Sequence, residues 1–523
     1  MIQTSLLLGL AIGLVLLQPI FSYFRDSKNL RRFPAPSVAA FTNLWAANNH
    51  RLKHSSLKVH EAHETLGPIV RIQPKHVSFN VPEAVNDIYG HASKLTKDHF
   101  YDTFTGNEYA SIVGTLSRED HARKRKYISN AFAQRNVVDM EPIIQEQVSV
   151  LIATFDQFCA APPVPGAADP ARDELYNIRW WFNLFSYDAI GAAAFGKPFG
   201  FLKQGTDKFQ AETFEERRYE TNALSAFHDS STYDSILAHW PQLLPLLRRL
   251  SQWHPGYKGG VDTTAVSIAK IRERQRNGKP QGYTDFFHHL LQDRNGKDTG
   301  LNLLELEKEA GVMINAGHDT TATAITNCVF YIFSNPRVLG KLREELAPIL
   351  GDQETSATYS QVKDLKYLRA CLDESMRLRP PTSRGLPRET PPQGATIAGH
   401  EIAGGVTVSV PTYTIHRNSK LFKQPEEYRP ERWFDDIEGP NCRQYVMPFS
   451  QGPRACIGRN LAYLEQQVLI ATLVHRYELQ FEQPGYVLPT IERFNANPGE
   501  MYVKLWRRRR KIEQPQAGVL PVE

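Results

Sequence analysis

The sequence predicts one mainly helical α+β domain carried behind an N-terminal transmembrane helix. Three observations lead there. Short strand candidates group near the start and the end of the chain around a helical middle, the order of an α+β fold rather than of βαβ repeats. No internal repeat and no long Gly/Ser-rich or charge-rich linker divides the 523 residues, although length alone would suit about three domains. Met1 to Phe24 carry no charge at all.

That N-terminal stretch is the first element. Leu6 to Leu17 is nearly all apolar, and about 20 such residues cross a bilayer. Arg25, Lys28, Arg31 and Arg32 follow it and nothing basic precedes it. Positive charge stays cytoplasmic, so the body of the chain is expected in the cytosol. A cleaved secretory signal is the weaker alternative, because the basic start and the small-x-small cleavage site are missing. Residues 1–24 are therefore read as an anchor and 25–36 as a basic, proline-stiffened hinge ending in Phe33-Pro-Ala-Pro36. Residues 37–506 form the expected domain and 507–523 a basic tail.

Within the domain, Pro68–Pro74 and Val77–Phe79 read as an early strand pair, and Val406–Val410 as a late strand. Ile144, Val148, Leu151 and Phe155 fall on one face at helical spacing. Breaks at Pro162–Gly166, His254–Gly256 and Asn277–Pro280 read as loops inside one domain. A long helix is predicted from about Leu303 to Phe333, and another follows Gly458.

Composition narrows the function. The 41% hydrophobic and 22% charged content suits an ordinary globular core with a solvated surface. A net charge of +5 with no nucleic-acid motif gives no reason to expect DNA or RNA as partner. Five cysteines are scattered, odd in number and free of C-x-x-C spacing. That argues against a disulfide framework and a zinc site, and fits a reducing compartment.

One stretch carries the chemistry: Phe449-Ser-Gln-Gly452-Pro-Arg454-Ala-Cys456-Ile-Gly458. A helical pattern starts right behind the cysteine, and a helix N-terminus favours negative charge. Arg454 two residues away is expected to help Cys456 ionise. Gly452 and Gly458 let the backbone turn and approach a flat ligand. Five such fixed positions in ten residues arise by chance with odds of roughly one in 10,000 at ordinary composition. The stretch resembles the haem-ligand loop of the cytochrome P450 family, Phe-x-x-Gly-x-Arg-x-Cys-x-Gly, with every fixed position filled. The resemblance implies heme b with Cys456 as axial thiolate, Phe449 at the loop's entry and Arg454 on a propionate. It extends from the anchor to about Trp506.

In the long helix, Ala316-Gly317-His318-Asp319-Thr320-Thr321 places Ala316, Gly317 and Thr320 on one face. Alone, small residues there mean close helix packing. Beside the cysteine loop they resemble the family's oxygen-activation motif, which implies that Thr320 holds oxygen and Asp319 relays protons. His318 sits at the variable position and reads as a helix-face histidine, not a metal ligand. Glu374-Ser-Met-Arg377 and Pro430-Glu-Arg432-Trp433 resemble the family's Glu-x-x-Arg helix and its arginine loop. By that likeness Glu374, Arg377 and Arg432 lock the core behind the cysteine loop. Arg125, Arg388 and His121 are implied as further propionate partners.

No dinucleotide fingerprint precedes a helix, and too few residues follow Gly458 for a flavin domain. Electrons are expected from a separate NADPH–cytochrome P450 reductase, with cytochrome b5 as a second donor. The basic run Arg123–Lys126 is a solvated face or a docking patch for an acidic flavoprotein. The anchor and hinge resemble those of microsomal members, which implies the endoplasmic reticulum membrane. Phe33–Trp45, Lys97–Phe104, Gly385–Glu389 and Ser409–Arg417 resemble the fungal benzoate 4-monooxygenase branch, many of whose relatives tailor secondary metabolites. Phe100–Phe104, Val312–Ala316 and Thr382–Leu386 are expected to line the pocket, with Phe100, Tyr101 and Phe104 stacking on a substrate ring. Thr382 and Ser383 would orient a polar group, and Arg384 is the candidate for a carboxylate. The expected activity is insertion of one oxygen atom from O2 into a C–H bond. Benzoate para-hydroxylation in aromatic catabolism is one alternative; a non-oxygenating thiolate-haem isomerase, dehydratase or haem sensor is another. The Asp319–Thr320 pair favours oxygen chemistry.

Overall fold

The computed structural model describes residues 18, 20–105, 109–159, 174–292, 296–352 and 354–508. Nearly all of the expected anchor, the Pro162–Gly166 break and residues 509–523 of the tail lie outside them. Among the described residues no helix is long and apolar enough to cross a membrane.

Two strands open the domain: β1 (Ile69–Gln73) and β2 (His76–Phe79), antiparallel with Val70 opposite Ser78. β3 (Thr96–Lys97) follows, then the helices α1 (Arg118–Ile128), α2 (Glu141–Phe158), α3 (Ile178–Phe195), α4 (Ala223–Leu237), α5 (Pro255–Asn277), α6 (Leu303–Phe333) and α7 (Lys366–Leu378). Two late strands, β4 (Arg388–Glu389) and β5 (Thr407–Ser409), return to the early ones. The five-stranded sheet runs β1-β2-β5-β4-β3. α8 (Arg459–Arg476) and the strand β6 (Tyr502–Arg507) close the fold. This is the mainly helical α+β arrangement, with the early and late strands joined in one sheet.

The helices form for reasons visible in the sequence. Ile144, Val148, Leu151 and Phe155 of α2 are all buried, and each contributes about 1.5–3 kcal/mol through apolar burial. Asn302 caps α6 by accepting from Glu305 N, while the Glu305 carboxylate accepts from Asn302 N. α6 runs through the centre of the core, packed on α3, α5, α7 and α8.

Some of these expectations are corrected. The His254-Pro-Gly break is a helix start: the His254 ring accepts from Gly256 N, and Pro255 takes the first position of α5, where its missing N–H costs nothing. The hinge residues pack on the domain. Leu30 and Phe33 are buried against β2 and the strands around Val406–Val410, Pro34 O accepts from Arg71 N, and Lys28 and Arg32 bond the Gly404 and Glu401 carbonyls. The basic run of α1 does not form one surface patch. Lys124 turns in to Glu309 at 3.2 Å and Arg125 faces the interior, so Arg123 and Lys126 alone stay outside. The tail begins one residue later than expected, because Arg507 belongs to β6.

Candidate active site

Cys456 lies between the short turn Gly452–Arg454 and the first turn of α8. Gly452 holds φ at +65°, and a Cβ there would strike the Tyr89 carbonyl oxygen. Cys456 N donates to Phe449 O at 2.8 Å, and the Phe449 ring packs on Tyr463 of α8, 5.1 Å between centroids. The loop is thereby fastened on both sides of the sulfur.

The Cys456 side chain is exposed, but towards an internal cavity of about 830 Å³ rather than the outer surface. Burial raises the pKa of the free thiol; amide N–H groups of Gly458 and Arg459 and the charges of Arg125 and Arg459 pull it down. Arg454 is not among the leading influences on the sulfur. Its guanidinium instead donates to Thr115 O at 2.7 Å, Leu116 O at 2.8 Å and Ser117 O at 3.0 Å. The free thiol is therefore not pre-ionised by its surroundings, and binding to a metal is what makes it a thiolate. Gly458 also differs from expectation. Its φ is −81°, and a Cβ there would meet nothing closer than Phe132 Cε1 at 3.9 Å and Cys456 Sγ at 4.0 Å. The protein itself does not demand glycine here; a side chain would stand in the cavity beside the sulfur.

At one end of the same cavity sit Lys97, His121, Arg125, Arg388 and Arg454. Lys97 and Arg388 are cross-strand partners on β3 and β4. Lys97 Nζ donates to Val113 O at 2.5 Å, Arg125 to Ala455 O at 2.8 Å, and Arg388 to Pro387 O at 3.0 Å and Tyr101 Oη at 3.4 Å. Among the described residues no carboxylate pairs with any of them. Burial and the neighbouring Arg454, Lys97, Arg125 and Arg388 push His121 down to about 3, so it is neutral. Burial and the nearby arginines likewise lower Lys97, and burial first, then Arg388, takes Arg454 down to about 10. Buried like charges without a counter-ion are costly, so this end of the cavity is built for an anion. A thiol donor, a cleared space beside it and four unneutralised cations fit haem, whose two propionates supply the missing charge.

The face of α6 carrying Ala316, Gly317 and Thr320 lines the cavity. Thr320 Oγ1 donates to Ala316 O at 2.7 Å, one turn back. At Gly317 the packing reading applies: a Cβ would meet Ile190 Cγ1 of α3 at 2.7 Å. His318 is buried and stacked on Tyr187, 3.8 Å between ring centroids, away from the cavity.

Asp319 also faces away. His228 Nε2 of α4 lies 3.0 Å from its Oδ1, Asn497 Nδ2 donates to Oδ1 at 2.8 Å and Asn495 Nδ2 to Oδ2 at 2.8 Å. Burial opposes ionisation, but these donors hold the carboxyl well below its ordinary value. Burial lowers the pKa of His228 itself, against the opposing pull of Asp319. Asn495 lines the cavity and accepts from Thr382 Oγ1 at 3.2 Å. It is the contact between Asp319 and the cavity wall.

Tyr101, Thr103, Phe104, Phe227, Thr382 and Phe494 belong to the wall. Phe100, Ser383 and Arg384 do not. Ser383 Oγ turns to Pro380 O, and the Arg384 guanidinium lies 4.1 Å over the Phe100 ring, buried behind the wall.

Beneath the cysteine loop, Glu374, Arg377 and Arg432 are all buried, more fully than the sequence led us to expect. Arg377 Nη2 is 2.9 Å and Arg432 Nε 2.8 Å from Glu374 Oε1. Glu438, which sequence reading missed, takes the other face of Arg432. His416 carries the arrangement to the loop: its Nδ1 lies 3.0 Å from Arg377 O, and its Nε2 accepts from Met447 N at 2.9 Å. Lys97, His228, Asn495, Asn497 and His416 were also missed. Their partners lie far off in the chain, and no local spacing marks them.

Comparison with known proteins agrees with this geometry. A family model described as cytochrome P450 matches residues 34–505. The chain is 31% identical over 507 residues to a benzoate 4-monooxygenase of Aspergillus niger, covering 95% of this chain and 97% of that protein. It is 30% identical over 481 residues to a cytochrome P450 monooxygenase of Penicillium roqueforti, with 90% and 94% covered. With a tryprostatin B 6-hydroxylase of Neosartorya fischeri it shares 29% identity over 486 residues, with 92% and 81% covered.

Proposed function

The chain belongs to the cytochrome P450 family and is a monooxygenase with thiolate-ligated haem; from that premise we propose that it hydroxylates an aromatic or aromatic-bearing metabolite. The observation that carries this is one shared cavity. Cys456, the cation cluster, Thr320 and the rings of Tyr101, Phe104, Phe227 and Phe494 all face it.

Bound haem supplies the oxidising chemistry that attacks a C–H bond. The chain supplies placement and protons. Cys456 would be the thiolate donor, and Lys97, Arg125, Arg388 and Arg454 would hold the propionates. Thr320 presents its hydroxyl oxygen to the cavity while its proton is given to Ala316 O, and Asp319 stays charged behind α6 and is tied to the wall by Asn495. The aromatic side chains orient a ring, and Thr382 and Asn495 meet its polar substituent. Selectivity follows from which carbon is held near the reacting centre.

The relative named benzoate 4-monooxygenase supports benzoate as a substrate; the one named tryprostatin B 6-hydroxylase supports a larger metabolite. The cavity reaches Tyr233 of α4 and Gly260 and Thr264 of α5, and this reach favours the larger one. A cavity-facing Thr320 argues against a non-oxygenating haem protein. Members of the family generally need a reductase. Here we assign NADPH–cytochrome P450 reductase, with cytochrome b5 as a second donor, at the endoplasmic reticulum membrane. The charge-free Met1 to Phe24 and the basic residues after it support a single anchor with the domain in the cytosol.

The test is turnover with a microsomal reductase and NADPH, beginning with benzoate and reading product position against the para-hydroxy standard. No turnover of benzoate or its ring-substituted relatives rejects the catabolic reading. Removing residues 1–24 releases the protein from carbonate-washed microsomes if the anchor is single; a truncated chain still bound to them contradicts it.

A further inference from the structure

One carboxyl in the cavity has no place in the chemistry above. Leu461, Ala462, Glu465 and Gln466 of α8 all line the cavity, and their spacing puts them on one face of the helix. α8 packs on α6, whose Thr320, Thr321 and Ala324 line the cavity too. Glu465 is 2% exposed. Among the described residues it has no hydrogen-bond partner and no counter-charge, and burial is the sole influence on its ionisation. Its neighbour Gln466 likewise leaves Oε1 without a partner. Every other acid discussed here is either paired or held by N–H donors. Glu465 is not.

An unpaired carboxylate is costly in such surroundings, so the group stays the neutral acid to higher pH than an exposed glutamate does. We propose that Glu465 is a redox-linked proton site of the haem cavity, taking up a proton when an electron enters and releasing one when it leaves. The inference rests on the haem reading above. In the linked step the electron comes from a flavoprotein or, in vitro, from dithionite. One proton comes from solvent, and the O–H bond forms on the Glu465 carboxylate. One negative charge enters with one positive charge, so the net charge of the cavity is unchanged.

The pH window follows from burial. It takes Glu465 up to about 8. Below that the acid is protonated in both redox states and no proton moves. Above it, the oxidised protein loses the proton first, and reduction restores it. The reduction potential of the holoenzyme then falls as pH rises. For a one-electron couple, a tenfold change in proton concentration corresponds to at most about 59 mV.

The experiment is a potentiometric titration of haem-loaded wild type and Glu465→Gln from acid to alkaline pH. Wild type is expected to show the alkaline fall and Glu465→Gln to lack it. The same fall in both overturns the proposal, as does no fall in wild type. The carbon monoxide spectrum of the same samples reports thiolate ligation separately, so a normal spectrum with identical titrations condemns the Glu465 assignment and not the haem reading. If Glu465→Gln does not take up haem, the wild type decides alone. Its reduced-minus-oxidised infrared spectrum at alkaline pH must gain a carboxylic-acid C=O band that moves on labelling glutamate with carbon-13. Absence of that band overturns the proposal.

Discussion

Lys97 and Arg388 face each other across β3 and β4 as directly opposed residues. Like charges at such positions destabilise a sheet, and here both line the haem cavity beside Arg125 and Arg454. On the proposed reading, the two carboxylates of haem would offset that repulsion. The same residues that weaken the empty chain would then strengthen the loaded one.

Lys97→Met should separate these effects. Without haem the variant is expected to be at least as stable as wild type, because a buried unpaired charge is gone. With haem it should release the cofactor faster, by about tenfold if one propionate contact is worth about 1.4 kcal/mol. Thermal melts of the haem-free protein and haem transfer to apomyoglobin measure the two. A variant less stable without haem and unchanged with it would reverse the argument.

The buried triad predicts a different signature. Glu374→Gln leaves Arg377 without a carboxylate and Arg432 with Glu438 alone, which costs about 3–5 kcal/mol and should abolish haem incorporation. His416→Ala keeps the triad but cuts its tie to Met447 N. That variant should fold and take up haem, yet lose the thiolate-type carbon monoxide spectrum on standing. A stable spectrum in His416→Ala would show that the tie is dispensable.

Asp319 sets a pH dependence whose sign is determined by its depressed pKa. Its contribution to stability is complete above the unfolded value of about 3.9 and is lost as pH falls through the lower folded value. Asp319→Asn should therefore melt below wild type at neutral pH, and the gap should close below about pH 4. A gap unchanged into acid would mean that the clamp of His228, Asn495 and Asn497 does not favour the carboxylate.

Thr320→Ala should bind haem and substrate as wild type does, since its hydroxyl bonds only Ala316 O within α6. Loss of that cavity-lining hydroxyl is expected to divert reducing equivalents to peroxide. Peroxide yield against NADPH consumed measures it. Full coupling in the variant would remove Thr320 from proton delivery.

Much of this was legible in the chain, and the limits are physical. The α2 face, the bounds of α6 and the strands near Val70, Val77 and Val408 follow from short-range periodicity and capping. The cysteine loop and the Glu374–Arg377 pair were readable because their spacing is local. Direction was not. That Asp319 turns from the cavity while its neighbour Thr320 turns towards it depends on Asn495 and Asn497, more than 170 positions later. The inward turn of Lys124 depends on Glu309, and the burial of Lys97 on a strand register that joins it to Arg388. A basic run looks solvated until its partners are known.

The most direct test is the carbon monoxide spectrum of the reduced protein. Wild type should absorb at the position of thiolate-ligated haem, and Cys456→Ser should lose that band while the buried triad keeps the chain folded. An unaltered band in Cys456→Ser would contradict the assignment of Cys456 as the iron's ligand, and with it the reading of the cavity.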